Sequence, residues 1–115
     1  MSETVSFKAD ELVAEAIAQT GLEDFGDMPY RDGLEALLQT YDRNVADPEG
    51  RKRCRDRVVY QLATRLKLEN SFNTIDGWRE QEIIAPVFVT GLPRSGTSAL
   101  LNLLEASPEN RSPLQ

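Results

Sequence analysis

A short polar stretch, Gly-Leu-Pro-Arg-Ser-Gly-Thr-Ser at residues 91–98, has the residue types best suited to bind an anion. Its two glycines stand five positions apart and are followed directly by two hydroxyl residues. This is the spacing of a phosphate-binding loop, G-x-x-x-x-G-K-S/T, with Thr97 in place of the lysine. Glycine permits positive φ and close backbone approach, so successive N–H groups can point into one concavity. The pattern therefore predicts a site for a phosphate or sulfate group.

Side chains within this loop would add to the backbone donors. Arg94 supplies a full positive charge and can bind an oxyanion edge through two N–H groups at once, which lysine cannot do. Ser95, Thr97 and Ser98 supply hydroxyl donors. Because no lysine follows Gly96, the usual clamp on the β- and γ-phosphates of ATP, with its magnesium ion, is altered. The predicted ligand is phosphate-like but not ATP-like.

The loop lies between two stretches with different hydrophobic patterns. Residues 83–90, Ile-Ile-Ala-Pro-Val-Phe-Val-Thr, are nearly all apolar without a helical period, which favours a strand buried on both faces of a parallel sheet. The leucines of residues 98–106 return to helical spacing, and the start of that helix would direct unpaired N–H groups at the loop. A buried strand cannot satisfy its own backbone, so we expect the sheet to continue beyond Gln115.

The first 80 residues show helical periodicity. They predict helices from a Ser6 cap to Thr20, from about Gly33 to Ala46, and from an Asp47 cap to about Leu68, with a short fourth helix over Ser71–Arg79. The inner face of the third helix is predicted to consist of Val58, Val59, Leu62, Ala63 and Leu66.

Two regions follow from these patterns. Residues 1–80 are predicted to form a helical amino-terminal region. Residues 81–115 are predicted to begin a P-loop-like α/β domain with a parallel sheet, truncated so that only its first strand-loop-helix unit is present.

Composition excludes several functional classes. The net charge of −6 argues against a general binder of nucleic acid or anionic membranes, because phosphates favour a surplus of lysine and arginine. Since there is no histidine and one cysteine, this stretch has no Ser-His-Asp or Cys-His catalysis and no cysteine-rich metal site. No Asp-rich ligand loop occurs, and we predict no metal. With no signal sequence and no apolar run of ~18 residues, we expect no integral membrane segment and a cytoplasmic location.

Residues 86–104, PVFVTGLPRSGTSALLNLL, resemble the strand, 5′-phosphosulfate loop and following helix of sulfotransferases that use 3′-phosphoadenosine 5′-phosphosulfate (PAPS). In that family the loop commonly reads P-K/R-S/T-G-S/T-S/T, and the matching residues here are Pro93, Arg94, Ser95, Gly96, Thr97 and Ser98. The stretches TGLEDFGD and RLKLE also resemble the bacterial branch that carries a helical amino-terminal region. The resemblance covers most of the chain, and the loop carries nearly all of its specificity.

The resemblance implies transfer of a sulfuryl group from PAPS to a hydroxyl or amine of a small-molecule acceptor, without a metal ion. It implies that Arg94 is catalytic, because this residue would bind the 5′-phosphosulfate and stabilise charge on the leaving phosphate. Pro93 and residues 95–98 would complete the binding loop. The 3′-phosphate site and the general base of the family would lie beyond Gln115, and neither is assigned here.

Two other functions are compatible with the sequence. A P-loop kinase or NTPase would also place a glycine-containing turn before a helix, and it would require magnesium and a downstream Walker-B carboxylate. Alternatively, the helical region is a non-catalytic interaction module.

Two further motifs are interpreted as structural. Asp24-Phe25-Gly26 lacks the other kinase motifs and is predicted to be a turn that connects helices. The basic cluster, defined as the four arginines and one lysine at positions 51, 52, 53, 55 and 57, is predicted to be a solvated helix face.

Overall fold

A computed structural model describes residues 4–113 of the chain. Tertiary contacts divide the chain into two compact units, Met1–Glu80 and Gln81–Gln115. Among the described residues, the first unit contains three helices: α1 (Ala9–Thr20), α2 (Arg31–Asn44) and α3 (Pro48–Thr74). The second unit contains α4 (Thr97–Glu105). Among the described residues, none of the helices combines the length and the hydrophobicity that a membrane-spanning helix needs.

The first unit is held together by apolar side chains that α1, α2 and α3 direct towards one another. The largest side chains with no appreciable exposure are Leu12, Leu38 and Leu66, one from each helix. The predicted inner face of α3 is confirmed, since all five of its residues are buried in this core. Burial of one such leucine contributes on the order of 1.5–3 kcal/mol, so this shared core determines how the three helices pack.

Two predicted helix boundaries are confirmed by their cap geometry. The Asp47 carboxylate accepts a hydrogen bond from the N–H of Gly50 at 2.7 Å, and Pro48 occupies the first helical position of α3. At the end of α1, Gly21 has a φ of 68° and its N–H donates to the carbonyl of Ile17 at 2.8 Å. Both caps are local arrangements, which explains why short sequence signals identify them.

Two other predicted boundaries are wrong. The helix α1 begins at Ala9 after Lys8, which has no capping side chain, so Ser6 is not the cap. The predicted separate helix over Ser71–Arg79 does not form, because α3 continues without a break to Thr74. The reason is that no glycine or proline interrupts residues 51–76. The chain turns only afterwards, where Gly77 has a φ of 79°.

The predicted α/β fold with a parallel sheet is wrong, because the described residues contain helices and no strand. Residues 83–90 have no regular secondary structure, and Ile83 and Phe88 expose 80% and 85% of their surface. Ala85, with a φ of 48°, interrupts any extended run. A strand is stable only when a neighbouring strand pairs with its N–H and C=O groups, and none of the described residues does so. The helix predicted over residues 98–106 does form, as α4, shifted by one residue.

Candidate anion-binding loop

The loop at residues 91–98 is a turn that leads directly into α4. The N–H of Ser95 donates to the carbonyl of Leu92 at 3.2 Å, which closes the turn around Pro93 and Arg94. Arg94 has a φ of 61°. Proline at the second position and positive φ at the third are the pattern of a type II turn, whose third position normally requires glycine.

The left-handed conformation of Arg94 is informative because it is unfavourable for an arginine. For a residue with a Cβ atom, this conformation is less stable than the right-handed one by on the order of 1–2 kcal/mol. Such residues occur where the surroundings impose the conformation, and they are concentrated at ligand sites. The turn therefore holds an arginine where glycine would be the more stable choice.

Backbone N–H groups without an intrahelical acceptor follow one another where the loop enters α4. Gly96 is the N-cap, with a φ of 87° and no side-chain capping hydrogen bond, and Ser95 before it has a negative φ. Alternating positive, negative and positive φ at 94, 95 and 96 is typical of anion-binding nests, but the Ser95 N–H is used in the bond to Leu92, so the donors that remain are those of Gly96 and the residues after it. Because the N–H of Leu100 is the one that donates to the Gly96 carbonyl, at 3.0 Å, the N–H groups of residues 97–99 have no acceptor within the helix.

The six predicted site residues are contiguous and lie on one accessible loop. Thr97 is half-buried, whereas the others are exposed: Pro93, Arg94, Ser95, Gly96 and Ser98. Within the described part of the chain, no ion pair involves Arg94. Its guanidinium and the N–H groups at the start of α4 are thus both accessible to an oxyanion, and a helix start of this kind favours negative charge.

Gly91, the first residue of the loop, lies against the side chains of Ser95 and Thr97. A Cβ atom placed on Gly91 would lie 2.6 Å from the Oγ of Ser95 and 3.1 Å from the Cγ2 of Thr97. We term this arrangement the Gly91 contact. The sequence identified Gly91 only by its spacing from Gly96, because the folding back of the loop is not visible in a linear pattern.

Arg51 in the basic cluster is a structural residue, and the prediction of a solvated face is wrong for it. Its side chain is only 12% exposed, and it donates to the Asp42 carboxylate at 2.5 Å. It also donates to the carbonyls of Val45 at 3.0 Å and Val5 at 3.2 Å, and its guanidinium lies 4.6 Å from the ring centre of Phe7. These contacts leave Arg51 unsuited to bind an external anion.

Other members of the basic cluster are also paired with carboxylates. Arg55 of α3 contacts Glu15 of α1 at 2.5 Å. Lys52 contacts Asp56 at 2.8 Å, and this hydrogen bond raises the pKa of the Lys52 ammonium above its ordinary value. Arg53 pairs with a glutamate one turn earlier at 3.2 Å. Carboxylates thus compensate four of the five charges of the cluster, and among the described residues Arg57 is its one member without an ion pair.

The Asp24-Phe25-Gly26 segment connects α1 and α2, which confirms that it is a helix-connecting turn. The Asp24 carboxylate accepts hydrogen bonds from the Gly26 N–H at 2.8 Å and from the Asn73 side chain at 3.0 Å. Arg65 of α3 donates to the Phe25 carbonyl at 2.6 Å. Asp24 is thus used to fix the turn against α3, and the described residues contain no cluster of three or more side chains able to hold a metal ion.

Comparison with known proteins finds no protein-family model, no curated protein and no solved structure that matches this chain. A functional proposal therefore depends on the residues and geometry of the loop.

Proposed function

We propose that this chain provides the 5′-phosphosulfate loop of an enzyme that transfers a sulfuryl group from PAPS to a hydroxyl or amine. The observation that carries the proposal is that three features suited to an anion occur together in residues 94–99. These are the exposed guanidinium of Arg94, the left-handed backbone conformation of Arg94 and Gly96, and the N–H groups at the start of α4 that have no acceptor within the helix. The resemblance of residues 93–98 to the PAPS loop supports the identity of the anion.

The loop would act on the leaving group. In the reaction, a bond forms between sulfur and the acceptor atom while the bond from sulfur to the bridging oxygen breaks, and the acceptor proton passes to a base. Negative charge then builds on the 5′-phosphate that leaves as adenosine 3′,5′-bisphosphate. Donors already fixed by a turn and a helix start need little reorganisation, and loss of one such donor typically costs about 2.7–4 kcal/mol in the transition state.

Arg94 would make the largest single contribution in this loop. Its two N–H edges match the oxygens of a phosphate, and its charge opposes the charge that develops on the bridging oxygen. Thr97 and Ser98 would donate to the remaining oxygens through backbone N–H and hydroxyl groups, and Ser95 through its hydroxyl, because its N–H already donates to the Leu92 carbonyl. Sulfuryl transfer of this kind needs no metal ion, whereas a kinase or NTPase would use magnesium to bridge its phosphates.

Calorimetric titration of the chain with adenosine 3′,5′-bisphosphate and with ATP tests the proposal. We expect the bisphosphate to bind in the presence of EDTA, with a Kd on the order of 1 mM, about −4 kcal/mol, because the loop contacts only the 5′-phosphate. Added magnesium should leave this affinity unchanged. Tighter binding of ATP that depends on magnesium would favour the kinase or NTPase interpretation, and absence of binding by either nucleotide would refute an anion site.

A further inference from the structure

We infer that Gly91 is a positioning residue of this site, and that the absence of its side chain determines where the Ser95 and Thr97 side chains lie. The inference rests on the proposed function. It is based on the Gly91 contact, in which the Ser95 hydroxyl overlaps the position that a Cβ atom on residue 91 would take and the Thr97 methyl lies close beside that position.

The two distances predict different responses to an added methyl group. At 2.6 Å, the Ser95 Oγ cannot coexist with a Cβ atom on Gly91, so the hydroxyl must move. At 3.1 Å, the Thr97 methyl is compressed and must shift by a few tenths of an ångström. The Ser95 Cβ, at 3.8 Å, is in ordinary contact. An alanine at position 91 therefore acts on the hydroxyl of Ser95 first.

The backbone at Gly91 does not require glycine, because its φ lies outside the left-handed region. The effect of an alanine should therefore come from displaced side chains and not from backbone strain at position 91. This separates Gly91 from Gly96, whose φ of 87° would make any substitution unfavourable in itself.

Displacement of Ser95 would disturb the site in two ways. The Ser95 hydroxyl is the end of a side chain that can rotate about χ1, so an alanine at position 91 would turn this hydroxyl away from its present direction. Thr97 is β-branched and has few rotamers, so that a methyl held against Gly91 also fixes the direction of the Thr97 hydroxyl. Both hydroxyls would lose their alignment towards a bound phosphate.

The test is a double-mutant cycle on the full chain, with adenosine 3′,5′-bisphosphate as the ligand and calorimetry as the readout. We expect Gly91→Ala to weaken binding about tenfold, the loss typical of one hydrogen bond to a charged group. Ser95→Ala removes the nearer of the two clashing atoms, so adding Gly91→Ala to Ser95→Ala should weaken binding less than Gly91→Ala weakens it in the wild-type chain. Non-additivity of this kind marks direct coupling between two residues.

Gly33→Ala is the matched control, because nothing lies within 4 Å of a Cβ atom at that position in α2. It should bind the nucleotide as the wild-type chain does. Circular dichroism should show the same helix content in all variants.

The possible results separate the inference from the proposed function. Wild-type binding together with unchanged binding by Gly91→Ala would overturn the inference alone. Losses that multiply in the double variant would overturn it as well, since they would show that the two positions act independently. Failure of the wild-type chain to bind the nucleotide would overturn the proposed function and, with it, the role of Gly91 at a ligand site.

Discussion

Replacement of Arg51 by alanine tests the packing of the helical unit most sharply. This guanidinium joins the carboxylate of Asp42 in α2, the carbonyl of Val45 between α2 and α3, and the carbonyl of Val5 before α1. It also lies over the ring of Phe7 at 4.6 Å. One side chain thus connects α2, the segment between α2 and α3, and the segment before α1.

The loss of stability expected for Arg51→Ala depends on how exposed each partner of Arg51 is. A hydrogen bond to a charged group contributes roughly 1.5–3 kcal/mol, and an arginine over an aromatic ring about 0.5–2 kcal/mol. The Asp42 side chain is 63% exposed, so water replaces part of what it loses. We therefore expect Arg51→Ala to lower the free energy of unfolding by about 2–3 kcal/mol. For a unit of this size, that corresponds to a fall in Tm of roughly 10–20 °C.

Arg53→Ala is the control, on the same helix and two residues away. The Arg53 side chain is 69% exposed and pairs with a glutamate that is 80% exposed, so solvent screens the interaction. Its loss should cost no more than about 0.5 kcal/mol. Thermal and urea unfolding followed by circular dichroism would measure both variants. Equal destabilisation by the two substitutions, or none by Arg51→Ala, would show that the Arg51 contacts do not stabilise the unit.

Two further predictions separate the loop from the core. Arg94→Gly removes the guanidinium, so the affinity for the nucleotide, measured by calorimetry, should fall about 10- to 100-fold. Because glycine adopts the positive φ of this position without strain, the unfolding midpoint should stay the same or rise. Arg94→Lys should retain part of the affinity, and unchanged binding by the glycine variant would remove Arg94 from the site. In the core, Leu66→Ala should cost about 2–5 kcal/mol in urea unfolding because Leu66 has no exposure, whereas Leu68→Ala, at a residue 51% exposed, should cost less than about 1 kcal/mol. Similar losses for the two leucine variants would contradict the assigned core.

The sequence predicts the helical unit well because its signals are local. Apolar residues at helical spacing identify the buried face of α3. Asp47 before Pro48 marks the start of α3, and a glycine directly after Thr20 marks the end of α1. The role of Arg51 was not predictable in this way. Its partners lie up to 46 residues away in sequence, so its burial depends on how α2 and the amino-terminal segment pack.

The structure of the second unit could not be predicted from local signals alone. An apolar run such as residues 83–90 indicates that a segment can be buried in a sheet, but a strand also needs a partner, and the described residues supply none. The loop itself was predicted from two glycines and their neighbours. The positive φ of Arg94 and the Gly91 contact were not, because both arise from the path of the backbone and not from residue type.

The most direct measurement of the central claim is a titration of the 15N-labelled chain with adenosine 3′,5′-bisphosphate in EDTA, followed by amide NMR spectra. If an oxyanion binds to the N–H groups at the start of α4, the largest shifts should occur at Gly96, Thr97 and Ser98. The basic cluster of α3 should change little, because four of its five charges are already paired with carboxylates. Shifts centred on the basic cluster, or none in the loop at ligand concentrations well above 1 mM, would contradict the claim.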